Sequence, residues 1–378
     1  MRPSTASRRS ASRGCRNRRP AQQRRPAQER RPTQTSPRPT DIPRVTAPER
    51  RSEPRTVVQS PEGDPLVSRD RLIDTVIKSL PEFDAGSVKD IRRLLNREVD
   101  GAGPDALYAL NRRLASVGSD WSYYPRDPLA GRIHELLAER VLNKGSRIVG
   151  PRHLLRVAGE PVVIFANHLS YADANLLDVL MRRAGAVALA DRLTVIAGPK
   201  VYSSLKRRFS SLCFGTVKTP QSSGLSTEDA VMSPRDVARA ARQSIEIAQE
   251  RLRQGEALLV FGEGTRSRDR GLRRMLAGAT RYLVEVPGTW VLPMGIAGTE
   301  TLFPVGAEKL HPTETVVRAG RPVLATTLME RAGEDRQLAM DVVGLVLASL
   351  VPAEYRGEYG DDAAGFDHAR RLVQTLYA

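Results

Sequence analysis

The sequence has few cysteines, few aromatic side chains and no long apolar run. Only Cys15 and Cys213 are present among 378 residues, too few for a disulfide framework and without metal-ligand spacing. Aromatic residues make up 5% of the chain and hydrophobic residues 40%, which predicts a core built mainly from Ala, Val and Leu. The apolar stretch VVGLVLASLV at 342–351 is much shorter than the roughly 18 residues of a membrane span. We therefore expect a reducing compartment and, for any membrane contact, a peripheral one.

The positive charge is concentrated at the N-terminus. Of the formal net charge of +16, residues 1–56 contribute +12, because they hold 16 arginines and four acidic residues. Residues 1–64 are rich in Arg, Pro, Ser, Thr and Gln, a composition that predicts a disordered tail. A solvated tail without a specific partner is favoured over attraction to anionic lipid or nucleic acid and over an organellar targeting peptide.

The apolar spacing changes along the rest of the chain. Apolar residues three and four apart predict helices at 69–80, 88–99, 105–116 and 127–142, and so a small helical region at 65–143. From 144 to 330, short apolar runs alternate with helical ones, which indicates an α/β domain. The predicted strands are 147–149, 161–167, 193–198, 256–261, 290–298 and 314–320. A long helix is predicted at 234–255, and C-terminal helices at 331–378 are expected to pack on the domain.

Two strand ends carry residues that could do chemistry. ANHLSYAD follows an apolar run and places Asp173 five residues after His168, so that the carboxylate could orient the imidazole as a base. FGEGTRSR follows the strand at 256–261 and offers glycines together with Arg266 and Arg268, whose forks suit phosphate oxygens. Taken singly, the first pattern is common by chance, and the second slightly favours a polar strand-to-helix loop with its arginines in water.

Together, and about 90 residues apart, these blocks resemble those of the glycerolipid acyltransferase family. NHLSYAD is similar to its N-H-x4-D block and FGEGTRS to its F-P-E-G-T-R-S block, with Gly262 in place of the usual proline. The segments 195–219 and VLPMGIAGT at 291–299 resemble its second and later blocks. The resemblance covers roughly 144–325 and implies an α/β fold with a central mixed sheet flanked by helices, similar to the glycerol-3-phosphate acyltransferases.

The resemblance implies an O-acyltransferase of phospholipid biosynthesis that moves a fatty acyl group onto a phosphorylated glycerol. The donor would be acyl-CoA or acyl-carrier protein as a co-substrate, with no cofactor and no metal. The acceptor would be 1-acylglycerol 3-phosphate, with glycerol 3-phosphate as the alternative. The implied location is cytoplasmic, with peripheral contact to an anionic membrane surface and no specific nucleic acid. The implied catalytic residues are His168 as base and Asp173 as its orienter; the implied substrate-binding residues are Lys218, Glu263, Gly264, Thr265, Arg266 and Arg268.

Three questions stay open at this point. Ser170 is a conceivable covalent nucleophile but lies only two residues from His168 in the same turn. The segment SSLKRRFSSLCF could be a basic amphipathic helix on a membrane or could pack against the sheet. A non-catalytic lipid-binding protein on the same scaffold and a thioesterase-like hydrolase are the less favoured functions.

Overall fold

The structure is a computed structural model, and it describes residues 68–78, 85–220, 232–302 and 311–377. The predicted disordered tail at 1–64 lies outside these residues. No helix in the described ranges is long and apolar enough to cross a membrane.

Three helices precede most of the sheet: α1 (Arg69–Lys78), α2 (Ala85–Ser116) and α3 (Pro128–Val141). The segments predicted as separate helices at 88–99 and 105–116 are joined in α2 across a kink at Gly103 and Pro104. Proline has no N–H for the helical ladder and disfavours helical dihedrals in the residue before it. Gly103 leaves the helical region with φ of 82°, a value that glycine adopts without strain. Leu72, Leu95 and Ile133 of these helices are buried in the same hydrophobic core as the sheet.

The described residues form one mixed sheet, which confirms the predicted fold class. Its strand order is β1-β5-β4-β6-β3-β7-β8-β2, and β9 pairs with β7. The five neighbouring strands β5, β4, β6, β3 and β7 are parallel to one another. The strand β1 pairs antiparallel with β5, and β8 and β9 pair antiparallel with β7. The strands are β1 (Tyr123–Tyr124), β2 (Arg147–Val149), β3 (Val162–Ala166), β4 (Leu193–Ala197), β5 (Gly215–Lys218), β6 (Ala257–Phe261), β7 (Trp290–Ala297), β8 (Val316–Ala319) and β9 (Val323–Leu324).

Nine further helices of the described residues lie between the strands in sequence or after the last strand, and they flank the sheet. They are α4 (Arg152–Arg156), α5 (Asp173–Arg183), α6 (Val187–Asp191), α7 (Leu205–Ser211), α8 (Pro234–Arg253), α9 (Thr299–Leu302), α10 (Ala325–Arg331), α11 (Arg336–Leu350) and α12 (Asp367–Leu376). The helix α8 begins where predicted because Ser233 accepts a hydrogen bond from the backbone N–H of Asp236 and Pro234 occupies the first turn. In and just after α7, Phe209, Leu212 and Cys213 are buried, so this segment packs into the core and does not present its apolar face to a membrane.

The central strand β3 determines where the two sequence blocks meet. It lies between β6 and β7, parallel to both, with Ala166 opposite Phe261 and Met294. Because parallel strands point their carboxyl ends to the same edge of a sheet, the turn after β3 and the loop after β6 lie side by side. All five residues of β3 are buried, as expected for a strand covered on both faces.

Candidate active site

His168 and Asp173 form a hydrogen-bonded pair in the turn after β3. Nδ1 of His168 lies 2.8 Å from Oδ2 of Asp173. Since a carboxylate can only accept, the hydrogen of the neutral ring lies on Nδ1, and Nε2 keeps its lone pair. The side chain of His168 is 19% exposed, and its ring stacks on Phe261 with 4.0 Å between the ring centroids. His168 also lines a cavity, so this ring can accept a proton from a bound molecule.

Asp173 holds the turn as well as the ring. It is fully buried as the first residue of α5, where a carboxylate is favoured by the helix dipole. Its Oδ2 also accepts hydrogen bonds from the backbone N–H of Leu169 at 2.7 Å and of Ser170 at 2.9 Å. Oδ1 is buried and has no hydrogen-bond partner in the described residues. Three donors therefore converge on one oxygen, and they fix the imidazole relative to the start of α5.

Glu263 ties the two loops together from behind the histidine. Its Oε1 accepts from the backbone N–H of His168 at 2.7 Å, and its Oε2 accepts from that of Arg273 at 2.9 Å. The backbone N–H of Ser267 donates back to the carbonyl of His168 at 2.8 Å. The side chain of Glu263 is 3% exposed and does not line the cavity, so its position favours a role in holding the loops over the predicted contact with substrate.

The same burial changes the acidity of Glu263. Desolvation raises the pKa of its carboxyl group to about 8, although the two backbone N–H groups act to lower it. Shifted pKa values are common near functional sites, and this carboxyl group lies directly behind the histidine.

Arg266 lies three residues after Glu263, in the loop that follows β6. Its guanidinium carbon lies 3.5 Å from the centre of the Tyr171 ring. Its Nη1 is buried without a hydrogen-bond partner in the described part of the chain. Arg268, two residues later, is exposed at the rim of the same cavity. Both positions suit a bound anion, because guanidinium forks match the oxygens of phosphate and carboxylate groups.

The cavity in front of His168 has a volume of about 460 Å³. One part of its wall is polar and basic and includes Gly264, Thr265, Arg266, Arg268 and Arg281. Another part is apolar and is formed by side chains from β4, β6, α8 and the segment after β6: Val195, Val260, Ile245, Leu276, Ala279 and Tyr282. The cavity can therefore take a molecule with an anionic group and a hydrocarbon portion.

Lys218 does not line this cavity, and its contact with an acceptor phosphate stays a prediction. Its Nζ donates to the carbonyl of Gly118 at 2.6 Å and lies 4.5 Å from the centre of the Trp121 ring. The carbonyl oxygen and the face of the indole ring both attract a cation, so they hold the ammonium group against the segment that follows α2. Gly264, Thr265, Arg266 and Arg268 all line the cavity, and their contact with substrate stays a prediction.

Sequence reasoning did not select several residues of the site. Tyr171 lies inside the N-H-x4-D block, and its place between the two candidate catalytic residues is a signal that could have been used. Phe261 ends β6 and packs on the imidazole ring. Arg281 also lines the cavity, but it lies 15 residues beyond Arg266 and no pattern in the sequence connects the two.

Comparisons with known proteins indicate the class of this domain. Residues 145–297 match the protein-family model for acyltransferases. The match agrees with the acyltransferase resemblance seen in the two blocks: this part of the chain is an acyltransferase domain, and the protein is an acyltransferase enzyme. Among solved structures, the chain is similar to the 1-acyl-sn-glycerophosphate (LPA) acyltransferase PlsC from Thermotoga maritima, with 19% sequence identity and a TM-score of 0.37. That similarity covers 72% of this chain and 93% of the PlsC chain. No curated protein matches the sequence.

Proposed function

We propose that this acyltransferase moves a fatty acyl group from acyl-CoA or acyl-carrier protein to 1-acylglycerol 3-phosphate in phospholipid biosynthesis. The observation that carries the proposal is that His168 and Arg266 line one cavity, with Asp173 buried behind the histidine. His168, oriented by Asp173, supplies a base, and Arg266 supplies a buried cationic nitrogen without a partner. A phosphorylated alcohol needs both groups, one for the hydroxyl that reacts and one for the phosphate that binds.

The proposed reaction proceeds in a single displacement. The acceptor hydroxyl attacks the carbonyl carbon of the thioester while Nε2 of His168 takes its proton. The new C–O ester bond forms, the C–S bond breaks, and the leaving thiolate receives the proton from the imidazolium. The buried carboxylate of Asp173, 2.8 Å from Nδ1, stabilises the imidazolium between these steps.

The position of Ser170 supports direct attack by the acceptor over a covalent acyl-enzyme. The side chain of Ser170 is fully buried, and its Oγ accepts a hydrogen bond from the backbone N–H of Ala172 at 3.2 Å. A nucleophile in the covalent mechanism has to face the substrate and its base. The alcohol of the acceptor can itself occupy the cavity beside His168, so no enzyme nucleophile is required.

The lining of the cavity offers both kinds of group that the proposed acceptor needs. Arg266 and Arg268 would bind the phosphate, and the loop of Gly264 and Thr265 would bring backbone close to it. The apolar wall suits an acyl chain, since burying hydrocarbon stabilises binding by roughly 0.8 kcal/mol per CH₂ group. The E-G-T-R-S sequence resembles the form of this block that is typical of lysophosphatidate acyltransferases, which supports 1-acylglycerol 3-phosphate over glycerol 3-phosphate as the acceptor.

Peripheral contact with an anionic membrane is part of the proposal. Leu276 and Val284 are among the most exposed large apolar side chains of the described residues. Leu276, Arg268 and Arg281 line the cavity and are exposed. Apolar side chains beside arginines suit the surface of a bilayer from which a lysophospholipid could enter.

An assay of thiol release tests the proposal. The full chain with acyl-CoA and 1-acylglycerol 3-phosphate should release free CoA and form diacylated product. His168→Ala should abolish both, whereas His368→Ala, on the exposed surface of α12, should leave both unchanged. Full activity of the His168→Ala variant would contradict the mechanism.

The acceptor is varied in the same assay. Competition between 1-acylglycerol 3-phosphate and glycerol 3-phosphate should favour the former; preference for the latter would replace the proposed acceptor. CoA release that is equally fast without any acceptor would identify a thioesterase instead.

A further inference from the structure

Two arginines share the ring of Tyr171. Tyr171 lies in the turn between His168 and Asp173, and it lines the cavity. The guanidinium carbon of Arg266 lies 3.5 Å from the ring centre, and that of Arg207 lies 4.6 Å from it. Arg266 follows β6 and Arg207 belongs to α7, so one side chain links the loop after β6 and the helix α7 to the turn that carries the candidate base.

The guanidinium groups of the two arginines differ in their hydrogen-bond partners. Nη1 of Arg207 donates to the carbonyl of Lys200 at 3.2 Å and to Oγ of Ser203 at 2.9 Å. Nη1 of Arg266 is buried without a hydrogen-bond partner in the ranges that the structure describes. A buried donor without a partner is costly, so Arg266 is the arginine whose environment lacks an acceptor. An anion in the cavity would supply one.

We infer that Tyr171 is a positioning residue that holds the fork of Arg266 in the orientation that binds the acceptor phosphate. The inference rests on the proposed function, because the phosphate is that of the acceptor. The negative face of an aromatic ring attracts a guanidinium group and lies flat against it. Arg207, anchored on α7, contacts the same ring and limits its movement. Two like charges on one ring repel each other, and a bound dianion relieves that repulsion.

Tyr171 contacts both Arg207 and Arg266 through the face of its ring. The aromatic face is therefore the part that acts. Replacement by phenylalanine keeps this face, and replacement by leucine removes it at similar apolar character. The pair of variants separates the contact with Arg266 from simple filling of space.

The first experiment measures kcat and KM of the full chain with varied 1-acylglycerol 3-phosphate. Tyr171→Leu should raise KM for the acceptor about tenfold with kcat within about twofold, since cation–π contacts to a desolvated arginine are of this strength. Tyr171→Phe should keep both constants within about twofold of the unmodified chain. A fall in kcat at unchanged KM would overturn the inference, because it would mean that the ring supports the His168 turn instead.

A double-substitution cycle tests whether Tyr171 acts through Arg266. In an Arg266→Ala background, Tyr171→Leu should have no further effect on KM. An equal rise of KM in both backgrounds would show that the ring acts independently of Arg266 and would overturn the inference.

Calorimetric binding of glycerol 3-phosphate without acyl donor separates this inference from the proposed function. The unmodified chain and Tyr171→Phe should bind it equally, and Tyr171→Leu about tenfold more weakly. Equal binding by all three would defeat the inference alone. If the unmodified chain neither bound nor acylated a phosphorylated glycerol, the proposed function would fail and the inference with it.

Discussion

Replacement of Asp173 by asparagine isolates the electrostatic part of its proposed role. All three hydrogen bonds of Asp173, from His168, Leu169 and Ser170, go to one oxygen, and the other oxygen has no partner. An asparagine can place its single oxygen where Oδ2 lies and its NH₂ group where Oδ1 lies. The variant then keeps the hydrogen bond that orients the imidazole, and it loses only the negative charge.

The size of the effect follows from that lost charge. Two unit charges about 4 Å apart attract by roughly 4 kcal/mol at the effective dielectric constant of about 20 that suits protein sites. The N–O distance of 2.8 Å places the carboxylate and an imidazolium at about this separation. Because the imidazolium forms only as the acceptor is deprotonated, the loss applies to the transition state, and kcat should fall about 10³-fold.

The assay compares Asp173→Asn with Asp173→Ala at saturating substrates. Both should lose activity, but the alanine variant also leaves two buried N–H groups of the turn without an acceptor, at about 1–3 kcal/mol each. Its thermal unfolding midpoint should therefore fall clearly below that of the asparagine variant. A kcat for Asp173→Asn within tenfold of the unmodified chain would refute the reasoning, since the buried charge would then contribute little to the reaction.

Three further outcomes are expected. As the pH rises from about 4.3 to 8, the unfolding free energy of the unmodified chain should fall relative to that of Glu263→Gln. Over this range the pKa of Glu263, raised to about 8 by burial, makes the folded chain bind a proton that the unfolded chain has lost, and parallel urea titrations of both proteins should show the divergence. Lys218→Met should change KM for the phosphorylated acceptor less than threefold, whereas Arg266→Lys should raise it at least tenfold; a large effect at Lys218 in the same kinetic assay would contradict its place outside the cavity. With vesicles of anionic brominated lipid, the fluorescence of a Val284→Trp variant should be quenched, and that of a Val187→Trp variant should not. The two valines are matched in exposure, at 47% and 45%. Equal quenching of both variants would place the membrane surface elsewhere.

The predictable parts of the fold were those with a strong local pattern. The strands at 147–149, 161–167, 256–261 and 290–298 were predicted within one residue of their observed bounds because each is an apolar run closed by polar residues or glycine. The strands β1, β5 and β9 were missed. They are two to four residues long, as short as β2, and they exist because a neighbouring strand offers hydrogen bonds.

The site was predictable in its members more than in their arrangement. The blocks around His168 and Arg266 identified the turn and the loop, because both follow long apolar strands. Lys218 was chosen for its charge and its place in the sequence, yet the carbonyl of Gly118 and the ring of Trp121 hold it outside the cavity. Side-chain direction at a strand end depends on what the rest of the chain packs there, and no local pattern contains that information.

The sequence by itself determined the longer helices and strands, the basic N-terminal segment and the two blocks that resemble those of acyltransferases. Helical and strand periodicity and the chemistry of His, Asp and Arg are local properties, readable over a few residues. Only the tertiary structure decided that β3 lies between β6 and β7, and this neighbourhood gave Glu263 its two backbone partners and Tyr171 its two arginines. Those contacts join residues up to 95 positions apart, and they follow from the burial of whole strands and helices, which a pattern within any one of them does not contain.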